Sequence, residues 1–440
     1  MIAGSLALWR GRVSQPLPSL PCQWATTLAL RSESRQLVSS VARRPPAHPT
    51  LLSAFTGAGG LDLGLSRAGF RTVACIEVDP LARQTIDANQ PDWKLLTPGD
   101  ISKVASRLSP SRLGLRTREL DVLAGGPPCQ PFSKAAQWSP NGVRGFRDPR
   151  AQCLRDFMKL VGLFLPKVIL IENVPGFARG RNNAIPTIRR ALSRINREAG
   201  TKYAVEHRIV NAVEFGVPQR RERAILIAFR DGRTFRWPRA QTGKAVRAWD
   251  AIGHLSSGNG EPQPSGQWAK LLPSIPEGHN YLWHTRRGGG RPLFGYRTRY
   301  WSFLLKLAKT EPGWTLPAEP GPATGPFHWE SRRLSVAEML RLQSFPASWK
   351  VRGTYWDQVR QIGNATPPLL AEILGRAIGE QLLGKAYRGR PTLSIPKKRR
   401  IPPPEAKLPV PKFYRSREGR HRDHQGTGRG PRPVIGGRGH

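Results

Sequence analysis

The middle of the chain alternates short apolar runs with stretches of helical period, and glycine or an acid stands at most of the junctions. Residues 51–55 read as a buried strand, 56–60 as a glycine-rich turn, and 61–68 as a short helix that Gly69 stops. A second strand, 71–77, ends in Glu77 and Asp79, and Pro80 opens the next helix at its favoured first position. A third short strand is expected around 94–96 and a fourth at 120–124. Residues 156–165 read as helix and 168–171 as a buried parallel strand ending in Glu172. Residues 203–210 and 224–229 are the last strands, separated by a turn at 215–218. The pattern predicts an α/β fold of the doubly wound type, with ligands beyond the carboxyl ends of the strands.

Periodicity weakens after Arg230. Up to residue 332 the chain is rich in Gly, Pro and aromatics and holds seven of the 13 tryptophans. Helical patterning returns with the capping box Ser335–Glu338 before 339–342, then a turn at 361–368 and a helix at 369–383. The expected organisation is a basic, disordered extension at 1–49, a catalytic domain at 50–230, a smaller irregular domain at 231–332, returning helices at 333–385, and a disordered basic tail at 386–440. The extension has the composition of a transit peptide, and equally that of a non-folding extension or of a start codon placed too early. A polar loop at 139–150 is a candidate mobile element.

Charge sharpens the picture. The net charge is +40, which calls for a polyanionic partner, most simply nucleic acid. The tail from Ala386 carries 15 Lys and Arg against 3 acids, yet the rest is basic too. No apolar run approaches the roughly 20 residues of a membrane span. The four cysteines form no CxxC pair, so neither a zinc site nor a disulfide framework is expected.

Candidate chemistry gathers at the strand ends. Gly57, Gly59 and Gly60 allow close backbone approach, and Glu77, about 20 residues on, could accept both hydroxyls of a ribose; together they point to a nucleoside cofactor. Asp100 either holds an exocyclic amine of that ligand or caps the helix beginning at Ile101. Cys129 stands in Gly126-Pro127-Pro128-Cys129-Gln130-Pro131-Phe132-Ser133, a turn that presents a thiol; the alternative is a small hydrophobe in a turn. Glu172 is a catalytic carboxylate or a solvated cap. Arg221 and Arg223 are surface charge, or two guanidinium groups on one face of a strand. Arg286, Arg287, Arg291, Arg297 and Arg299 lie among aromatics, as in a nucleic-acid surface.

These stretches together resemble the C5-cytosine-specific DNA methyltransferase family, in the family's order. The matching stretches are Phe55 to Gly60, Glu77, Asp100-Ile101, the Cys129 turn, Glu172-Asn173-Val174, Gln219 to Arg223, Arg341 to Pro346, and Gly363 to Pro368. Thr366 replaces the usual Val, Ala337 an Arg, and Val78 an aromatic against adenine. The resemblance implies a Rossmann-like methyltransferase sheet and a variable target-recognition domain at 231–332. It implies S-adenosylmethionine as cofactor, without a metal, in contact with Phe55, Gly57, Gly59, Gly60, Glu77, Val78, Asp100, Ile101, Pro128, Asn364 and Thr366. Cys129 would attack cytosine C6, protonated Glu172 would hold N3, Arg223 would hold O2, and Arg221 would support the loop or a phosphate. Gln130, Ser133 and the five arginines would contact double-stranded DNA. A bacterial, cytoplasmic, monomeric modification enzyme is expected, with a cognate restriction endonuclease as candidate partner. The alternatives are a tRNA cytosine-5 methyltransferase and a non-catalytic DNA-binding protein on the same fold. The tail is expected to be dispensable for chemistry.

Overall fold

The computed structural model describes residues 48–128, 152–180, 183–241, 243–255, 260–294, 301–384, 386–397 and 400–416. Strands β1 (Thr50–Ala54), β2 (Arg71–Ile76), β3 (Val122–Gly125), β4 (Val168–Asn173), β5 (Glu206–Asn211) and β7 (Glu222–Phe229) form one sheet in the order β2-β1-β3-β4-β7-β5. The first four are parallel; β7 runs antiparallel to both β4 and β5. Every residue of β1, β3 and β4 is buried, as expected of strands covered on both faces.

Successive side chains go to opposite faces. Leu51, Val122, Val168, Leu170, Ile225 and Ile227 join one core, and Leu52, Leu123, Ile169, Ile171 and Leu226 the other. The second core is closed by α3 (Ile101–Arg107), α4 (Gln152–Phe164) and α5 (Ile185–Ala199). Helix α4 contributes Leu154, Phe157, Leu160, Val161 and Phe164, each burial worth about 1.5–3 kcal/mol. The first core is closed by α1 (Gly60–Arg67), α7 (Val336–Leu342) and α9 (Pro368–Leu383). Helices α1 and α9 touch at backbone distance: a Cβ on Gly64 would lie 2.3 Å from the Pro368 carbonyl oxygen. The start of α9 is thereby fixed beside the first glycine turn. Pro80 opens α2 (Pro80–Asn89) as the sequence indicates, with Asp79 as its cap.

Several expectations need correction. Residues 94–96 form no strand; Leu95 makes a single bridge to Cys75. The turn expected at 361–368 begins only at Ala365, because a Thr354–Asp357 capping box starts a helix, α8 (Tyr355–Asn364), that runs through it. The tail expected to be disordered from Ala386 is packed at 386–397 and 400–416. Leu393 and Ile395 enter the first core, and Thr392 and Leu393 donate their amides to the buried Glu372 carboxylate. Farther on, Tyr414 is fully buried and stacks on Trp268 at 5.3 Å. These side chains dock one at a time into separate hollows, so no period marks them.

Segment 231–332 holds little regular structure: α6 (Ala248–Ile252), short 3-10 turns, and β8 (Gly313–Trp314), which pairs with β6 (Gln219–Arg220). It has its own aromatic core, including Trp268, Tyr281, Phe294 and Phe327, which Tyr414 completes. Its core is also continuous with the sheet's, through Ala248, Ile252, Leu307, Leu316 and Trp329. Lys309 is buried between Glu277 at 2.9 Å and Glu405 of the tail at 2.7 Å. The tail therefore braces this segment. Among the described residues no helix is long and apolar enough to cross a membrane.

Candidate active site

The chain leaves β1 in a tight turn. Phe55 takes φ +59° and Gly57 φ +55°, left-handed conformations that glycine adopts freely. The turn is pinned by Glu77, at the carboxyl end of β2. Its Oε2 accepts the Gly57 amide at 2.7 Å, and its Oε1 accepts the Asp79 amide at 2.7 Å. Burial pushes the Glu77 carboxyl up, and the two amides oppose that shift. Next to it Val78 is 67 % exposed, an apolar surface at the sheet edge. Gly59 caps α1 in the left-handed region, and Gly60 is buried against Thr366.

Asp79 is held on the same edge by Arg360 of α8 at 2.6 Å. Its own burial would raise the carboxyl, but Arg360 and the amides of Leu81 and Ala82 outweigh it and hold it low. Gly99 lies directly against Glu77, since a Cβ there would sit 1.8 Å from the Glu77 carbonyl oxygen. Asp100 is thereby brought beside the turn. Of its two sequence readings the cap is realised: Oδ1 accepts the Ser102 amide at 2.8 Å. Ile101 is buried in the second core beneath it. Thr366 is buried and Asn364 exposed at the same edge.

A second cluster forms one strand pair farther along. Glu172, at the end of β4, lies 2.8 Å from the Arg223 Nε, and both side chains are about nine-tenths buried. Asn173 follows it and is buried. Its amide nitrogen donates to the Pro127 carbonyl at 2.7 Å, and its Oδ1 accepts the Val174 amide. Gly126 passes close to the Glu172 carboxylate. Asn173 thus ties the carboxylate to the turn that leads through Pro128 toward Cys129. The sequence offered a signal for it, an amide directly after a strand-end acid, but its role as a tether was missed. Cys129, Gln130, Ser133, Arg297 and Arg299, with the loop at 139–150, lie outside the described residues. Arg286, Arg287 and Arg291 are exposed on segment 231–332.

Arg221 is a correction. It is not surface charge: the side chain is fully buried. Its guanidinium donates to the carbonyls of Gly363 at 2.6 Å, Ala365 at 3.0 Å and Leu316 at 3.3 Å. The strand is interrupted at this residue, between β6 and β7, which turns the side chain inward. Arg221 fastens the closing segment beside the glycine turn, and it also holds the start of the stretch that follows β8. Among the described residues no group of His, Cys, Asp and Glu could hold a metal.

Comparison with known proteins agrees with this arrangement. A family model for C-5 cytosine-specific DNA methylase matches residues 50–380. The Type II methyltransferase M.SacI of Streptomyces achromogenes is 34% identical over 76% of this chain and 93% of its own length. M1.HphI of Haemophilus parahaemolyticus, also a Type II methyltransferase, is 31% identical over 75% of this chain and 86% of its own. A solved structure of a putative DNA modification methyltransferase from an E. coli prophage superposes with TM-score 0.54 at 23% identity, covering 77% of this chain and all of that one. The fold is similar as well to an insect DNMT2 from Spodoptera frugiperda, with TM-score 0.52 at 17% identity. With the ordered motifs, the sheet and these matches together, the chain belongs to the C-5 cytosine-specific DNA methylase family.

Proposed function

We propose that the chain transfers a methyl group from S-adenosylmethionine to C5 of a cytosine flipped out of a specific duplex DNA sequence, through a covalent adduct with Cys129. The observation that carries this reading is the Glu172–Arg223 pair at the end of β4, tethered by Asn173 to the Cys129 turn. The pair offers a carboxylate and a guanidinium together, both about nine-tenths buried. Only an extrahelical base could reach it.

The glycine turn fits the cofactor. Each Glu77 oxygen accepts one amide and keeps a lone pair for a ribose hydroxyl. Val78 offers apolar surface to an adenine, and Asp100, Asn364 and Thr366 stand at the same edge. S-adenosylmethionine supplies the electrophilic methyl group when bound. The remaining work falls to the chain. Addition of the Cys129 thiolate to C6 gives C5 the electron density of an enamine. Once C5 carries the methyl group, its proton leaves to water and the C6–S bond breaks, which frees the Cys129 thiolate and restores the ring. Glu172 shares a proton with N3, which drains charge from the ring as the thiolate adds. Arg223 exchanges its contact with Glu172 for one with O2. Segment 231–332, with Arg286, Arg287 and Arg291 exposed and Arg297 and Arg299 in its sequence, reads the DNA. The chain acts as a monomer and as the modification partner of a restriction endonuclease.

The test is transfer of labelled methyl from S-adenosylmethionine to duplex DNA and, in parallel, to tRNA. DNA should be labelled, and Cys129→Ser should lower the rate more than a hundredfold while DNA binding persists, since the sequence of the turn, 125–133, holds no His to activate a hydroxyl. Labelling of tRNA alone would replace the DNA reading. A Cys129→Ser variant at a tenth of the original rate would remove the nucleophile from the scheme.

A further inference from the structure

Directly behind the glycine turn lies a carboxylate that the proposed chemistry does not use. Asp62, in the first turn of α1, is completely buried, and neither carboxylate oxygen has a partner in hydrogen-bonding geometry. An unpaired buried charge is among the most costly arrangements in a folded chain. The groups facing it make ionisation harder still. Below it on β1 and the turn are the Ser53 and Thr56 hydroxyls, bonded to each other at 2.9 Å. On β2 are Cys75, whose thiol burial and Asp62 both push up, and Glu77, which repels Asp62. The charge acting on Asp62 is thus negative.

We infer that Asp62 is a positioning residue for the cofactor turn: neutral, it lets the turn at 56–60 close over β1, and ionised, it forces that turn open. Burial carries its pKa to about 7. The switch therefore falls near neutral pH. Cofactor binding needs the turn closed and the Gly57 amide on Glu77, so it favours the protonated form. Affinity for S-adenosylmethionine is then flat below about pH 7 and falls above it, by up to about tenfold per pH unit until the bound form also ionises. This rests on the cofactor reading above.

The experiment is calorimetric titration of the full chain with S-adenosylmethionine from pH 6 to pH 8.5, in buffers of different ionisation enthalpy. The unmodified chain should bind several-fold more weakly at pH 8.5 and take up a proton on binding near pH 7.5. Asp62→Asn, which keeps the neutral shape, should retain the pH 6 affinity, lose that proton uptake and flatten the profile. Parallel profiles in the two proteins would overturn the inference. So would affinity that rises with pH only when Asp62 is present, because Asp62 would then pair with the cofactor's cation. No binding by either protein at any pH would instead refute the cofactor reading.

Discussion

The sheet and segment 231–332 solve the same problem by opposite means. In the sheet, neighbours in space come from short apolar runs whose alternation assigns each side chain to one of two cores. In the segment, little regular structure forms, and order comes from pieces distant in sequence. Tyr414 stacks on Trp268, Glu405 pairs with Lys309, and the Trp249 indole donates to the Arg400 carbonyl. The sheet holds the candidate chemistry at its strand ends, where small displacements matter. The segment hangs on a brace supplied by the last stretch of the chain. Such a segment can change its surface while the brace and the aromatic core hold its position.

The largest expected effect breaks that brace. Ending the chain at residue 385 removes Leu393, Ile395, Glu405 and Tyr414 from their sites. Burying Tyr414 alone is worth about 1.5–3 kcal/mol. The truncated chain should lose more than about 5 kcal/mol in urea unfolding and lose specific DNA binding with it. This reverses the expectation, drawn from composition, that the tail is dispensable. Stability within 1 kcal/mol of the full chain, roughly the cost of one surface change, would show that the brace is ornamental.

Arg221 joins the two regions, since it holds Leu316 after β8 and Gly363 and Ala365 before α9. Arg221→Ala leaves buried carbonyls unpaired and should cost about 3–5 kcal/mol. Arg221→Lys should recover only part of that, because an ammonium lacks the planar fork. Denaturant midpoints of the three proteins decide it; a neutral Arg221→Ala would return the residue to a role in chemistry.

Smaller effects should separate reading from catalysis. Alanine at Arg286, Arg287 or Arg291 in turn should leave cofactor affinity unchanged. A residue that contacts a guanine edge should lose about 1–3 kcal/mol of discrimination at one base, whereas a phosphate contact should weaken all sequences alike. Methylation of a library of site variants separates the two groups. If all three variants keep the original preference, the reading surface lies elsewhere.

The same contrast explains what the sequence made legible. Strand ends and helix starts follow local rules, so Glu77, Asp79, Asp100 and Glu172 were placed at one sheet edge without coordinates. The Ser335–Glu338 and Thr354–Asp357 boxes obey equally local rules, and the second went unread because Gly363 and Asn364 suggested a turn. The burial of Arg221 was not legible, because the Leu316, Gly363 and Ala365 carbonyls lie 95 to 144 residues away and nothing beside it in sequence signals burial. The tail was misread because single anchors such as Tyr414 leave no period among Pro, Gly and Arg.

The central claim is that Glu172, paired with Arg223 at the end of β4, holds a cytosine for methylation at C5. Bisulfite sequencing of DNA from a host expressing the chain tests it most directly. The account predicts cytosines protected in one sequence context, with Glu172→Gln lowering protection more than about a hundredfold in rate, the scale of a positioned proton donor. Unprotected DNA from the unmodified chain, or full protection by the Glu172→Gln protein, would contradict it.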